Sequence, residues 1–267
     1  MHLPGPGLSR LAVATAVLTV ILMAVGALAT GDVLNGRYHV YLALATGGLA
    51  VMLLIGLVPA NVPAWLRATG WIAVALFALD SGIMAWTPLP PVEATLAIPH
   101  AIAGALFLAT TVVIAFYMPQ DWINGPELVD MTPWPLLQTM ALATPLVVIV
   151  QIALGAAYRH KVFGVMPHMA GAMVATLLLL VLAVQLLQHF PTHPTLRPVA
   201  IAAMSVLLLQ VTLGISAFVM RLLDFDTMPA FVWIAAAHVC LGALTLASSL
   251  VLCIEVRRTG LASSGRS

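Results

Sequence analysis

The chain has 267 residues, of which 62% are hydrophobic and only 7% are charged, and its mean hydropathy is +1.10. So few polar side chains cannot cover the surface of a soluble globule of this length, so the composition excludes that class and indicates an integral membrane protein. The formal net charge of +1 provides no basic surface, and no nucleic-acid partner is expected.

Eight apolar runs follow one another along the chain, separated by proline, glycine and charged residues. A bilayer core about 30 Å thick takes about 20 helical residues, so each run is long enough to cross it. The predicted spans are 9–30, 38–58, 65–87, 99–117, 134–157, 168–188, 197–222 and 230–255. The first run looks like a secretory signal with a cleavage site near Ala29, but its length and its counterpart later in the chain favour a retained helix.

Four histidines stand at or near the start of the even-numbered spans: His39, His100, His168 and His238. Successive spans cross the membrane in opposite directions, so all even-numbered spans start on the same side. The four imidazoles are therefore predicted to share one membrane face.

The basic residues favour one orientation. With a cytoplasmic N-terminus, six of them lie inside and four outside, and the pair Arg257-Arg258 follows the last span. This asymmetry has the sign of the positive-inside rule. It predicts a multi-pass protein of the bacterial cytoplasmic membrane, with both termini in the cytoplasm and the four histidines near the outer face.

Both cysteines, Cys240 and Cys253, fall within the eighth span. Along one helix they are about 20 Å apart, which is beyond the reach of a disulfide. The sequence has no CxxC or CxxCH motif, so neither a redox thiol pair nor covalently attached haem is indicated.

A short pattern occurs twice, as Gln151-Ile-Ala-Leu-Gly155 in the fifth span and Gln210-Val-Thr-Leu-Gly214 in the seventh. Fainter echoes occur at Gly26 and Gly82 in the first and third spans. The repeat predicts an all-α fold of two pseudo-symmetric four-helix bundles, residues 1–120 and 121–267. Four-helix bundles hold cofactors between facing helices, so His39 is expected to face His100, and His168 to face His238.

A small residue follows each histidine by three or four positions, on the same helix face. These residues are Ala43, Gly104, Gly171 and Gly242. They leave space beside each imidazole for a flat group. The alternative is that they permit close packing of membrane helices.

An ionisable residue in a membrane span is a candidate functional residue, and haem iron commonly takes axial histidines. Zinc sites gather three or four ligands, so two pairs of histidines beside small residues fit haem better. His39, His100, His168 and His238 are thus the predicted metal ligands. The alternative for any one of them is a hydrogen-bonded packing residue.

Three arginines on the same side, Arg37, Arg159 and Arg221, precede these histidines. Guanidinium groups pair well with carboxylates, so the three arginines are predicted to bind haem propionates. The alternative is that they reach lipid headgroups. His160, in the loop after the fifth span, is predicted to contact a propionate or its own loop.

Asp80 is the one carboxylate well inside a predicted span. It could relay protons or pair with Arg37, and the alternative is a hydrogen bond to a neighbouring helix.

The stretch Gln151-Ile-Ala-Leu-Gly-Ala-Ala-Tyr-Arg-His160, followed by His168-Met-Ala-Gly-Ala, resembles the haem A synthase family. These membrane oxidoreductases oxidise a methyl group of haem O to the formyl group of haem A for cytochrome oxidase assembly. The resemblance implies haem b between His168 and His238, and the substrate haem O between His39 and His100. It also implies partnership with haem O synthase or with terminal oxidase assembly proteins, besides membrane lipid.

The chain departs from that family in the second span. The family usually carries a Glu three residues before the histidine and an Arg after it, where this chain has Gly36 and Val40. Asp32 and Asp80 are the candidate catalytic substitutes for the missing carboxylate. The alternative function is a non-catalytic b-type haem protein that transfers electrons or assists oxidase assembly.

Overall fold

A computed structural model of the chain describes residues 6–31, 33–85, 94–118, 127–131 and 134–260. These residues form eight α-helices and no strand. The helices are α1 (Pro6–Ala29), α2 (Gly36–Leu57), α3 (Ala64–Ala85), α4 (Ala94–Tyr117), α5 (Pro135–Arg159), α6 (Val165–His189), α7 (Leu196–Leu222) and α8 (Pro229–Thr259). All eight are long and apolar enough to cross a membrane, which confirms the all-helical membrane fold that the sequence predicted.

The helix bounds differ most from the prediction in the two innermost helices. α4 begins at Ala94 rather than 99 and contains Pro99, while α8 continues to Thr259 rather than 255. The start of α4 was predicted too late because Pro99 resembles a helix boundary. Pro99 is the sixth residue of α4, and the helix continues through it.

α4 and α8 lie at the centre of the molecule and contact each other. Their shared surface is built from small residues, including Ala105, Ala109, Ala243 and Ala247, each at most 2% exposed. Alanine lets two helix backbones approach closely, which is how helices associate where lipid removes the hydrophobic driving force. Large apolar side chains instead point outward from the peripheral helices, as Leu44 does with 69% of its surface exposed.

Helices that follow one another along the chain contact each other throughout, from α1·α2 to α7·α8. α1 also contacts α4, and α5 also contacts α8. Each even-numbered helix therefore starts beside the end of the odd-numbered helix before it. This is where the four histidines stand.

The opposite end of the molecule holds a separate polar cluster. The Tyr117 hydroxyl donates a 2.6 Å hydrogen bond to the fully buried Glu255 carboxylate, and the Arg258 guanidinium lies 4.8 Å from the centre of the Tyr117 ring. This cluster joins the last turns of α4 and α8.

His193 lies at that same end, where it closes the start of α7. Its Nδ1 accepts hydrogen bonds from the backbone N–H groups of Thr195 and Leu196, at 3.2 and 3.1 Å. Its Nε2 donates to the carbonyl of Glu127 at 3.0 Å. Both ring nitrogens of His193 thus make hydrogen bonds to the backbone, so the role of His193 is structural.

Candidate functional site

Four histidines form two pairs, each across two even-numbered helices. The ring centroids of His39 on α2 and His100 on α4 are 6.3 Å apart, with ring planes at 84°. Those of His168 on α6 and His238 on α8 are also 6.3 Å apart, at 87°. All four side chains are partly buried. The structure thus brings together both pairs that the sequence suggested.

The separation within each pair suits two imidazoles on one metal ion. A metal–imidazole bond is about 2.0–2.1 Å, and a ring nitrogen lies about 1.15 Å from the ring centre, so linear coordination places the centroids about 6.3–6.5 Å apart. The observed 6.3 Å falls within this interval in both pairs.

Three glycines each lie directly against the ring of one of the histidines. A Cβ added to Gly26, Gly155 or Gly214 would lie 2.7, 2.9 or 2.8 Å from Cε1 of the facing histidine. The facing histidines are His39, His168 and His238, in that order. Such distances are too short for carbon atoms, so any L side chain at these positions would displace the imidazole. Gly82, the fourth member of the repeat, has open space instead, with nothing within 4 Å.

In the first pair, both Nδ1 atoms face hydrogen-bond acceptors. His39 Nδ1 lies 3.2 Å from the Leu22 carbonyl oxygen, and His100 Nδ1 lies 2.7 Å from Asp80 Oδ1. An acceptor at Nδ1 fixes the proton there and leaves the lone pair on Nε2, which is the form in which histidine binds a metal. Both histidines of the first pair are therefore oriented through Nδ1, which leaves Nε2 as the nitrogen that could bind a metal.

In the second pair, His238 is held in the same way, since its Nδ1 lies 3.1 Å from the Gln210 carbonyl oxygen. Its Nε2 lies 3.3 Å from the Gln210 side-chain nitrogen, a donor that meets the Nε2 lone pair. A metal at Nε2 would take the place of this donor. Gln210 would then have to withdraw its amide.

His168 differs from the other three, because its Nδ1 lies 2.9 Å from the side-chain nitrogen of Gln151 rather than from an acceptor. The same nitrogen donates to the His168 carbonyl at 2.9 Å, and Gln151 Oε1 is buried without a hydrogen-bond partner among the described residues. Because this one nitrogen serves both acceptors, a half-turn of the amide would bring Oε1 against the His168 carbonyl oxygen, so the nitrogen stays in place. His168 Nδ1 therefore accepts a hydrogen bond, and unlike the other three histidines His168 would have to change tautomer to present Nε2 to a metal.

The small residues after the histidines do not leave open space. A Cβ on Gly171 would overlap Gln151 Oε1, one on Gly242 would lie 3.3 Å from Gln210 Nε2, and one on Gly104 would lie 3.8 Å from Asp80 Oδ2. These glycines therefore make room for the polar side chain that contacts the histidine. Sequence alone could not distinguish space for a ligand from space for a neighbouring side chain.

Arg159 connects the end of α5 to the end of α1. Its Nη2 donates to the Ala27 carbonyl oxygen at 3.0 Å and to the Thr30 hydroxyl. Ala27 lies in the last turn of α1, where helix carbonyls lack partners within the helix, and Thr30 directly follows the helix. Of the other predicted propionate ligands, the Arg37 side chain is exposed at the start of α2.

Arg221 reaches the second histidine pair through an aromatic ring. Its Nη1 donates to the Tyr158 hydroxyl at 2.6 Å, and the Tyr158 ring lies parallel to the His168 ring with centroids 6.2 Å apart. Arg159, Lys161, Tyr158 and Arg221 line an open cavity of about 510 Å³. Three cations around one cavity make it suitable for an anionic group.

His160 follows α5 and belongs to the same side of the molecule. Burial, and then the nearby Arg159 and His100, lower the pKa of His160 from its ordinary value. The ring is therefore within electrostatic range of the first histidine pair. Asp32, the other predicted catalytic carboxylate, lies outside the described residues.

Within the described ranges, no three His, Cys, Asp or Glu side chains gather around a common point that could hold a metal ion. The available donor sets are two imidazoles each, which suits a haem iron whose equatorial ligands come from the porphyrin. No protein-family model matches the chain, and no curated protein matches it.

Substituting the glycines that lie against the rings tests whether these contacts fix the orientation of the histidines. Gly155→Ala and Gly214→Ala push the His168 or His238 ring out of line, and losing ligand orientation typically lowers metal affinity about 10- to 100-fold. If the histidine pairs hold haem, as the sequence predicts, haem content per protein, measured by absorbance, should fall in both variants. Gly82→Ala, at the open position of the same repeat, is the matched control and should have the haem content of the wild type. Equal haem content in all three variants would contradict the idea that these glycines fix the orientation of the histidine rings.

Proposed function

We propose that the protein is a haem A synthase-like membrane oxidoreductase that oxidises a methyl group of haem O in haem A biosynthesis. The observation that carries the proposal is the pair of histidine pairs, each with a 6.3 Å centroid separation. Acceptors at Nδ1 in three of the four histidines support the proposal, because a hydrogen bond there leaves Nε2 free to bind iron. The sequence resemblance supplies the reaction class.

In this proposal His168 and His238 hold a resident haem b, while His39 and His100 receive the substrate haem. Bound haem supplies the electron-transfer and oxygen chemistry that protein side chains lack. The chain's own residues hold the imidazoles at fixed separation and orient them through Nδ1. α4 and α8, the two most buried helices, each carry one member of a pair, so both pairs attach to the rigid centre of the molecule.

Propionate binding falls to the basic cavity beside the second pair. Arg221 and Lys161 line it together with Arg159, and Tyr158 lies between Arg221 and the His168 ring. Guanidinium groups bind carboxylates in two-point geometry, which also orients the group they hold. In this proposal Arg37 serves the first pair, from the exposed start of α2.

A second candidate function is a non-catalytic b-type haem protein for electron transfer or oxidase assembly. Gly36 favours this second function, because it has no side chain although a Cβ there would meet nothing within 4 Å. The second-span carboxylate of the resembled family is therefore missing from a position with room for it. The histidine pairs would serve this function equally well.

One experiment separates the two functions. The full-length protein is expressed with a haem O supply, and its haem is extracted and identified by chromatography. We expect haem A together with haem b. Haem b alone would support the non-catalytic function, and a protein without haem would refute both.

We also propose that residues 1–120 and 121–267 are two pseudo-equivalent bundles in a bacterial cytoplasmic membrane, with both termini cytoplasmic. The matching contacts α1·α4 and α5·α8 support the two bundles, and Arg257-Arg258 after the last span supports the orientation. Partners in this setting are lipid, haem O synthase and oxidase assembly proteins.

Reporter fusions test this orientation. A fusion at the C-terminus is expected to report the cytoplasm, and one in the loop at Asp224, between α7 and α8, the opposite compartment. Since an even number of spans separates the two termini but an odd number separates this loop from the C-terminus, equal signals at both sites would contradict the eight-span topology.

A further inference from the structure

We propose that Asp80 is a positioning residue that makes His100 an electron-rich ligand, so that haem held by His39 and His100 has a lower reduction potential than haem held by His168 and His238. This inference rests on the proposed haem binding. It goes beyond it by assigning different electronic properties to the two histidine pairs.

The inference starts from a difference among the four Nδ1 contacts. His39 and His238 face neutral backbone carbonyls, and His168 faces a neutral amide. Only His100, among these four, faces a carboxylate, at 2.7 Å. The two pairs have the same centroid separation, but only the first pair has a charged group in contact with an Nδ1 atom.

The contact between Asp80 and His100 is partly withdrawn from solvent. The side chains are 19% and 30% exposed, respectively. A carboxylate polarises a neighbouring N–H group more strongly at such a site than in bulk water, because less solvent screens its charge. Within the described residues, the side-chain partner of Asp80 is His100, not Arg37.

A carboxylate on Nδ1–H draws that proton toward itself and increases electron density on Nε2. Carboxylate–histidine–metal triads use this arrangement to raise ligand basicity. A more basic ligand stabilises oxidised iron more than reduced iron, because the oxidised iron carries the greater positive charge. The reduction potential at the first pair should therefore fall, since hydrogen bonding behind the ligand tunes haem potential.

Gly104 is part of this arrangement. A Cβ there would lie 3.8 Å from Asp80 Oδ2, so the carboxylate lies against the bare face of α4, one turn after His100. Gln151 and Gln210 each stand four residues before the repeated glycine of their helix. Asp80 stands only two residues before Gly82, so it does not occupy the equivalent position. The carboxylate is thus a feature of the first pair alone.

The test is a redox titration of the full-length, haem-loaded protein, followed by its absorbance spectrum. We expect two one-electron components, and Asp80→Asn is expected to raise the lower one. The asparagine amide in this variant can still accept a hydrogen bond but carries no charge. A tenfold loss in the preference for oxidised iron corresponds to about 59 mV for a one-electron couple.

Two further variants make the result decisive. Asp80→Glu keeps the charge and should keep the lower potential. Asp224→Asn removes a carboxylate from an exposed loop on the same side, at a position with φ 59° that asparagine also tolerates, and should move neither component.

An unchanged lower component in haem-loaded Asp80→Asn, or an equal shift of both components, would overturn the inference. If Asp80→Asn loses this haem, the Asp80→Glu titration decides: the wild-type potential supports the inference, and a raised one overturns it. Absence of haem from His39 and His100 in the wild-type protein would instead refute the proposed haem binding in the first half.

Discussion

Replacing either His168 or His238 by alanine is expected to abolish the b-type reduced absorbance spectrum of the haem that we propose for the second half. In the proposed site each imidazole supplies one of the two protein ligands, and the ring centroids are 6.3 Å apart. The purified wild-type protein should show a low-spin, bis-histidine spectrum. Membrane insertion should remain, because both helices keep their long apolar sequences.

The matched control is His189, which lies at the opposite end of α6. Its Nε2 is 2.9 Å from Gln185 Oε1, and its ring is stacked on Trp134 with centroids 3.5 Å apart. His189→Ala should leave the haem spectrum intact. An unchanged spectrum in both His168→Ala and His238→Ala would refute the assignment of these residues as ligands.

Much of the fold follows from hydrophobicity alone. A helix needs about 20 apolar residues to cross the bilayer, so eight runs of that length predict eight spans, and the structure has them. Span order then places the start of every even-numbered helix on one side. That argument requires no tertiary information, which is why the two histidine pairs could be anticipated from the positions of His39, His100, His168 and His238.

The spacing of the repeat predicted which helices correspond, but not what the glycines do. Gly155 lies beside the His168 ring, and Gly171 lies beside the Gln151 side chain that contacts that ring. Both are small residues near a histidine in the sequence. Their different tasks depend on the rotation of each helix about its axis, which the hydrophobic pattern of a span surrounded by lipid and protein leaves undetermined.

The polar contacts were the least predictable feature. Asp80 was expected to relay protons, to pair with Arg37 or to hydrogen-bond a neighbouring helix, and the structure shows the last of these, a contact with His100 on α4. Arg159 was expected to bind a propionate, and it donates to the last turn of α1. Both side chains are flexible enough to reach several partners from one helix position. The sequence therefore limits the side of the membrane on which they act, but not the atom that they contact.

The position of Asp80 also changes what its removal should do to the reaction. A carboxylate that touches the substrate typically contributes about 10²- to 10⁴-fold in rate by moving a proton. A carboxylate behind a metal ligand acts through the ligand, and its loss typically costs about 10- to 100-fold in metal affinity or activity. The 2.7 Å contact with His100 Nδ1 places Asp80 in the second category.

Haem A formation is therefore expected to fall about 10- to 100-fold in Asp80→Asn, while the haem b of the second half stays bound. The assay is chromatography of haem extracted from the full-length protein expressed with a haem O supply. Asp32→Asn is the companion variant: if Asp32 supplies the missing acid, the loss should be larger, about 10²- to 10⁴-fold. Strong haem A production unaffected by either change would refute both carboxylates as substitutes for the one missing at Gly36. Haem bound without haem A, in wild type and variants alike, would instead favour the electron-transfer or assembly function, which needs the histidine pairs as ligands but no group that moves the protons released by methyl oxidation.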